Sequence, residues 1–438
     1  MTRTPYATTR RRFLAGSSAL IAGSSLNTKA FAQSRPDKIV VAGLQIKWKR
    51  TFEEEIGPAF EEATGIKVVH EWLPIDALAA RLKTQMGSGG IDVGWFNTGN
   101  VAAMAEYCAD HEALVAEYGV DDDYNWNDIF ASAKQSYNVN DKLCGVPFRY
   151  TTHIMHYQPD ALEAAGITKA PETFEEFRNA ALAVTEHFGG EKYGVGIYGR
   201  ESEAMVRGWN SAFLMSNGGH YYDSDTWEIL VNKAPSVESL QWYCDLAAKD
   251  KVVPPEAFTW EWDGLVSGAQ DDRYAMTVTI GPYATLMNDP ALSKTAGKWA
   301  WGKVPGGSTP DDSTSSVGGW AMGVAENSAH KEWAFEYVKM ATSTAALKST
   351  TKDGNAPPRA SVLTDLAILK DYGWMEAFSA QAETAQSFIK PNDPIFAVAD
   401  QQLRPHMSRV LIGQTDAQEA MDAVARDWNR TFKRAGLI

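Results

Sequence analysis

The sequence predicts an α/β fold, and three observations carry that expectation. A run rich in β-branched residues, Lys38-Ile39-Val40-Val41-Ala42-Gly43, precedes a helical pattern, and a second such run, Ile66-Lys67-Val68-Val69-His70, follows it. A strand-helix-strand order implies a parallel pair. The alternation then returns along most of the chain, with no internal repeat.

The elements read in order as follows. Phe52, Ile56, Ala59, Phe60 and Ala63 recur at helical spacing, and Gly65 closes that helix. Residues 75–86 form a second helix, Gly87-Ser88-Gly89-Gly90 breaks the chain, and residues 91–95 form a third strand. Gly145-Val146-Pro147-Phe148 leads into a strand near 152–157. Thr173-Phe174-Glu175-Glu176 is a capping box that opens a helix to about Phe188. Residues 237–249 are an amphipathic helix, and 274–279 a strand ended by Gly281-Pro282. Residues 321–324 form a strand, 331–340 a helix opened by Asn327 and Ser328, and 416–432 a closing helix. The Gly/Ser/Thr/Asp/Pro-rich stretch 306–316 reads as an exposed loop.

The composition is that of a folded, acidic protein. Of 438 residues, 44% are hydrophobic and 22% charged, which excludes a largely disordered chain. Lys plus Arg number 41 against 55 Asp plus Glu, a net charge of −14. Residues 1–32 hold five of those cations and no acid, so the remainder carries 36 against 55, a net of −19. Nucleic acid and anionic membrane surfaces are poor partners for such a chain. Cys108, Cys144 and Cys244 are too few for a disulfide scaffold. They read as three buried thiols or as one disulfide with an odd thiol.

The first 32 residues read as an export address. Thr9-Arg10-Arg11-Arg12-Phe13-Leu14 precedes a small, apolar stretch from Ala15 to Leu26, and Ala30-Phe31-Ala32 is a cleavage pattern. The apolar stretch is roughly a dozen residues, where a membrane-crossing helix needs about 20. The paired arginines before Phe-Leu resemble a twin-arginine signal, with an ordinary secretory signal as the alternative. A mature, periplasmic protein starting near Gln33 is expected.

Familiar catalytic and metal patterns fail on inspection. Asp121, Asp123, Asn125 and Asn127 have calcium-loop spacing, but Trp126 stands where Gly is needed and Ser132 where Glu is needed. His153 and His156 are three apart in a strand, so they face opposite sides and do not share a metal. Glu261 and Asp263 in Trp260-Glu261-Trp262-Asp263 are a weak candidate for a glycosidase dyad. There is no HExxH, GxSxG or phosphate-binding GxxxxGK[ST] pattern, and no cofactor motif.

The informative signal is aromatic. The chain holds 15 Trp, 16 Tyr and 17 Phe, several beside hydrogen-bonding residues at strand ends and turns. Examples are Trp48-Lys49, Trp95-Phe96-Asn97-Thr98, Trp209-Asn210, Pro282-Tyr283 and Gly318-Gly319-Trp320. A pyranose presents an apolar face and a rim of hydroxyls. An indole covers the first while Asn, Asp or Arg bonds the second. Any one of these tryptophans is more often core than ligand, but strand C-termini are where α/β proteins collect ligands.

Six blocks in order then make the chain resemble the family 1 extracellular solute-binding proteins, the sugar-binding components of bacterial ABC importers. They are Gly145-Val146-Pro147 through Tyr157-Gln158-Pro159-Asp160-Ala161-Leu162; Pro171-x-Thr173-Phe174-Glu175-Glu176; and Phe213-Leu214-Met215-Ser216-Asn217-Gly218-Gly219. The others are Ala275-Met276 to Ile280-Gly281-Pro282-Tyr283; Gly318-Gly319-Trp320; and Gly354-Asn355-Ala356-Pro357-Pro358-Arg359. Gln158 replaces the usual Asn, Tyr283 the usual Trp, and Arg149-Tyr150-Thr151-Thr152-His153 the commoner Asp-Thr pattern.

The resemblance implies a two-lobe, type II-like periplasmic-binding-protein fold with ligand in the cleft between lobes. Residues 38–149 with 300–345 are expected in one lobe, and 150–299 with 346–438 in the other. It implies capture without catalysis, no cofactor, a monomer, and a membrane permease as partner. Trp48 and Trp95 are expected to wall the ligand, with Asn97 and Asn100 bonding it and Arg149 forking two hydroxyls or a carboxylate. Trp209 and Tyr283 are expected from the second lobe, and Trp320 and Asn355 on the hinge side. Arg359 is either a ligand contact or a structural ion-pair partner. Alternatives are a polyol, glycerol phosphodiester or small charged solute in the same fold and, more remotely, a twin-arginine-exported periplasmic enzyme.

Overall fold

The computed structural model describes residues 35–223, 225–388, 393 and 395–438. The segment 1–32, expected to be an export address, lies outside the described residues. The chain divides into two compact units. The first is the chain up to Arg149 together with Gly319–Val362, and the second is Tyr150–Gly318 with Leu363–Ile438.

In the first unit the strand Lys38–Leu44 runs parallel to Lys67–Leu73, with Lys38 opposite Lys67 and Leu44 opposite Leu73. It also runs parallel to Val93–Asn97 on its other side, with Val41 opposite Val93. Ser316–Val324 pairs antiparallel with Val93–Asn97, placing Trp320 opposite Asn97 and Val324 opposite Val93. Val146–Thr151 pairs with Ser316–Val324. The core beneath includes Ile39, Val41, Leu82, Val93, Phe335 and Val338, all fully buried.

The first helix departs from the expected continuous pattern. Phe52–Ile56 is wound as a π-turn and only Gly57–Thr64 is α-helical. Pro58 has no N–H to give the Glu54 carbonyl, and the Gly57 N–H bonds back to Phe52 instead, widening the turn. Gly65 ends the helix at φ +73°, a left-handed conformation that suits glycine.

The second unit has a sheet in the order Ala300–Gly302, His153–Tyr157, Tyr274–Ile280, Tyr193–Val195. The last two strands are parallel and the other neighbours antiparallel. Helix Phe174–His187 is capped by Thr173, whose hydroxyl accepts from the Glu176 N–H at 3.3 Å. Helix Ala417–Ala435 buries Met421, Val424, Trp428 and Phe432 on one face. Among the described residues, no helix is long and apolar enough to cross a membrane.

Two segments group differently from expectation. Residues 300–318 belong to the second unit because Trp301 pairs with His156 and the Ser315 hydroxyl accepts from the His153 N–H at 3.0 Å. Residues 346–362 belong to the first, where the Asn355 amide donates to the Phe148 carbonyl at 3.0 Å.

Candidate functional site

The parallel strands of the first unit end at Leu44, Leu73 and Asn97 on a common edge. Ligands of open α/β sheets bind outside such an edge. Trp48 lies just beyond the first of these ends, but it is only 2% exposed. Its ring stacks on Trp95, centroids 5.5 Å apart and planes 8° from parallel. Trp95 meets Phe52 at 4.7 Å and Trp72 at 5.0 Å, both edge-on. Both expected ligand walls are thus interior rings: the aromatic cluster fills the space under the edge with its own members.

Two expected residues remain half-buried at the rim beside a third. The Asn100 side-chain amide donates to the Asn97 Oδ1 at 2.9 Å. Trp320, directly opposite Asn97, projects on the same face of the sheet and meets Trp48 edge-on at 5.9 Å. A half-open indole beside two carboxamides offers an apolar face with donors and acceptors at its side.

Arg149 and Asn355 are committed inward. The Arg149 guanidinium lies 4.8 Å above the Trp48 ring and donates from Nη1 to the Gly354 carbonyl at 2.7 Å. The Asn355 Oδ1 accepts from the same Nη1 at 3.3 Å, while its amide donates to Phe148 and to the Thr350 hydroxyl at 2.9 Å. Nη1 of the arginine expected to fork onto a ligand is thus engaged by a backbone carbonyl and a carboxamide of its own unit.

Arg359 takes the structural of its two expected roles. It is fully buried, its Nε donates to the Thr342 carbonyl at 2.8 Å, and its Nη1 donates to the Tyr124 carbonyl at 2.9 Å. Its guanidinium also lies 4.6 Å over the Tyr124 ring and 3.4 Å from the Asp128 carboxylate.

The charged side chains near the edge are paired within the unit. Lys49 pairs with Glu53, Arg50 with Asp353, and Lys352 with Glu55. The bond from Lys49 holds the Glu53 carboxyl below its ordinary value. Asp353 also accepts from the Thr51 N–H at 3.0 Å.

In the second unit Trp209 is a core residue, fully buried with its indole N–H donating to the Ser239 hydroxyl at 2.9 Å. The residue expected to contact ligand is thus an interior side chain of this unit. Tyr283 follows the end of the strand Tyr274–Ile280 and is, like Trp48, only 2% exposed, an interior ring 6.4 Å from Trp262. Trp262 is half-buried, 4.7 Å from Tyr198, whose hydroxyl bonds Thr279. Trp262 was not among the expected site residues. Its signal lay in Trp260-Glu261-Trp262-Asp263, where the acids drew the attention; Glu261 in fact sits 3.7 Å from Arg200.

His153 and His156 are both buried, and burial lowers each to about 3, so both are neutral. Among the described residues no group of three or more His, Cys, Asp or Glu is placed to hold a metal ion. Cys108, Cys144 and Cys244 are buried free thiols.

Three comparisons complete the description. A family model for bacterial extracellular solute-binding proteins matches residues 42–348. The chain is 28% identical over 379 residues to a probable amino-acid ABC transporter periplasmic-binding protein of Sinorhizobium fredii, covering 82% of this chain and 84% of that one. It is 22% identical over 362 residues to an erythritol/L-threitol-binding protein of Mycolicibacterium smegmatis, covering 77% and 74%. Its fold is similar to that of maltose-bound T. maritima MalE3, with a TM-score of 0.81 at 20% identity over 90% of this chain and 99% of that one.

Proposed function

The chain belongs to the bacterial extracellular solute-binding protein family, and on that premise we propose that it is the periplasmic binding component of an ABC importer for a neutral sugar or polyol. The observation that carries this reading is the rim of the first unit. There a half-open Trp320 stands beside Asn97 and Asn100, while Lys49, Arg50 and Lys352 are neutralised by their own carboxylates. Uncharged donors beside an aromatic face suit hydroxyls on an apolar carbon skeleton. The tetritol named for one relative and the maltose named for one structural neighbour support the same class.

The mechanism is capture. Half-buried Trp262 supplies the second unit's share, and ligand favours whichever state it binds with greater affinity. The closed form then presents the ligand to the membrane permease. Export of the chain to the periplasm by the segment 1–32 belongs to the same proposal.

A small charged solute is the second reading, favoured by the amino-acid description of the Sinorhizobium relative. Thermal shift of residues 33–438 against sugars, polyols and amino acids separates the two. A ligand at about 100 times its dissociation constant adds roughly 2.7 kcal/mol. A rise with a sugar or polyol, unaffected by salt, is expected. A rise only with charged solutes, weakened by salt, overturns the neutral-ligand assignment.

A further inference from the structure

The second unit has a parallel strand edge of its own. Tyr193–Val195 runs beside Tyr274–Ile280, with Val195 opposite Met276, and ligands of open α/β sheets bind outside the ends of such strands. The chain leaving the first strand is zipped to the loop that precedes the helix Trp262–Gln270. The Gly199 N–H donates to the Ala257 carbonyl at 3.1 Å, and the Arg200 N–H to the Trp260 carbonyl at 3.2 Å. A Cβ on Gly199 would lie 2.6 Å from the Ala257 carbonyl oxygen, so the zip needs glycine there. Trp260 anchors the second loop. It is 8% exposed and so close to the helix that a Cβ on Gly268 would lie 2.4 Å from its ring.

Three side chains stand together on this double loop. Trp262 is half-buried, with Tyr198 4.7 Å away. Its neighbour Glu261 occupies the N-cap position of the helix, but its side chain makes no capping bond. The Glu261 carboxylate instead faces the Arg200 guanidinium at 3.7 Å, beyond hydrogen-bond length. The arginine side chain is 63% exposed and the glutamate side chain 41%. Glu203, by contrast, is paired with Arg207. An exposed pair as long as Arg200 and Glu261 adds little stability, and both members keep hydrogen-bonding capacity beside an indole.

We propose that Arg200 and Glu261 are ligand-gripping residues of the second unit, and that with Trp262 they select two adjacent hydroxyls, a vicinal diol. This deepens, and rests on, the reading of the ligand as a neutral sugar or polyol. A hydroxyl both donates and accepts, whereas a guanidinium only donates and an ionised carboxylate only accepts. A diol set between the two therefore has both halves of its capacity used. Arg200 donates to the oxygens, the hydroxyl protons go to Glu261, and the carbon skeleton lies against the Trp262 ring. The two charges cancel, which suits a ligand that carries none.

The test is calorimetry of wild type, Arg200→Ala, Glu261→Ala and Glu201→Ala at low and high salt. D-Mannitol, ribitol and maltose serve as diol probes and L-glutamine as a zwitterionic one, and urea unfolding checks that each variant folds. Wild type is expected to bind a diol probe with no dependence on salt. Arg200→Ala and Glu261→Ala are each expected to weaken it about tenfold to a hundredfold, the range for a charge-assisted hydrogen bond, with urea midpoints unchanged. Glu201→Ala, an exposed neighbour outside the grip, leaves binding as in wild type. Arg200→Gln and Glu261→Gln carry the test if either truncation does not fold. A diol probe bound as tightly by both folded variants as by wild type overturns the subsite and leaves the sugar or polyol reading standing. Weakening in only one of the two overturns the paired grip. Wild type that binds none of the diol probes overturns the diol assignment together with the reading it rests on; glutamine bound in their place, more weakly at high salt, puts a zwitterion on the same two charges.

Discussion

Trp48 lies flat on Trp95, with ring centroids 5.5 Å apart and planes 8° from parallel. The pair spends both of its facing surfaces on itself, and Phe148, Phe52 and Trp72 close round it. An indole in that position stabilises the first unit instead of presenting a face to a sugar. Trp48→Ala is therefore expected to cost about 3–5 kcal/mol, the range for a large buried aromatic. Urea unfolding followed by circular dichroism measures it, and a loss below about 1 kcal/mol with abolished binding would return Trp48 to the ligand site.

Trp320 should behave in the opposite way. It is half-buried at the rim beside Asn97. Trp320→Ala is expected to weaken ligand binding by about tenfold or more, as loss of an aromatic anchor does, while moving the urea midpoint less than Trp48→Ala. Calorimetry on the two variants side by side decides the ranking.

Arg359→Met removes a buried cation from the carbonyls of Thr342, Tyr124 and Asn125 and leaves them without their donor. A loss of about 3 kcal/mol is expected from the stranded acceptors and from Asp128 losing its partner. Affinity per folded molecule should stay within about twofold, since a stability effect alone does not alter the bound contacts.

His111 is held as a single neutral tautomer. Its Nδ1–H donates to the Leu143 carbonyl at 3.0 Å, and its Nε2 accepts from the Val324 N–H at 3.2 Å. A second proton would set two donors against each other. Burial lowers His111 to about 4, His70 to about 4, and His153 and His156 to about 3. Unfolded imidazoles protonate near pH 6.5. Between about pH 6.5 and these lowered values the unfolded chain binds more protons. Stability from these groups is therefore complete above about 6.5 and falls as the pH falls toward 4. Urea midpoints from pH 7.5 to 4.5 should decline, and nitrogen-15 spectra should show His111 unprotonated at pH 5.

The cysteines should be silent in the native protein. Burial raises all three thiols, Cys144 to about 11 and Cys108 and Cys244 further from their ordinary value. A thiol-reactive chromogen is expected to report none in native protein and three in denaturant; fewer in denaturant would mean a disulfide.

Local features were legible because their causes are local. The β-branched run at 38–43, the glycine after the first helix and the Thr173 cap each act within a few residues, and each stands where the pattern puts it. The π-turn at Phe52–Ile56 was hidden because apolar spacing averages over it, although Pro58 was its visible cause. Unit membership of 346–362 was not legible, because it depends on Asn355 meeting Arg149 across 206 residues. The tryptophans were the hardest. A Trp beside a polar residue at a strand end reads alike whether its ring faces solvent, as Trp320 partly does, or another ring, as Trp48 does.

The division of the chain also fixes an order of events during synthesis. The strand Ser316–Val324, which borders Val93–Asn97, is translated only after the middle of the chain. A nascent first unit therefore waits with the Val93–Asn97 flank unpaired while some 170 residues emerge between Arg149 and Gly319. An exposed strand flank of that kind is a template for association with other chains. The exposure ends only when Ser316–Val324 has left the ribosome, and slow translation through the middle of the chain lengthens it.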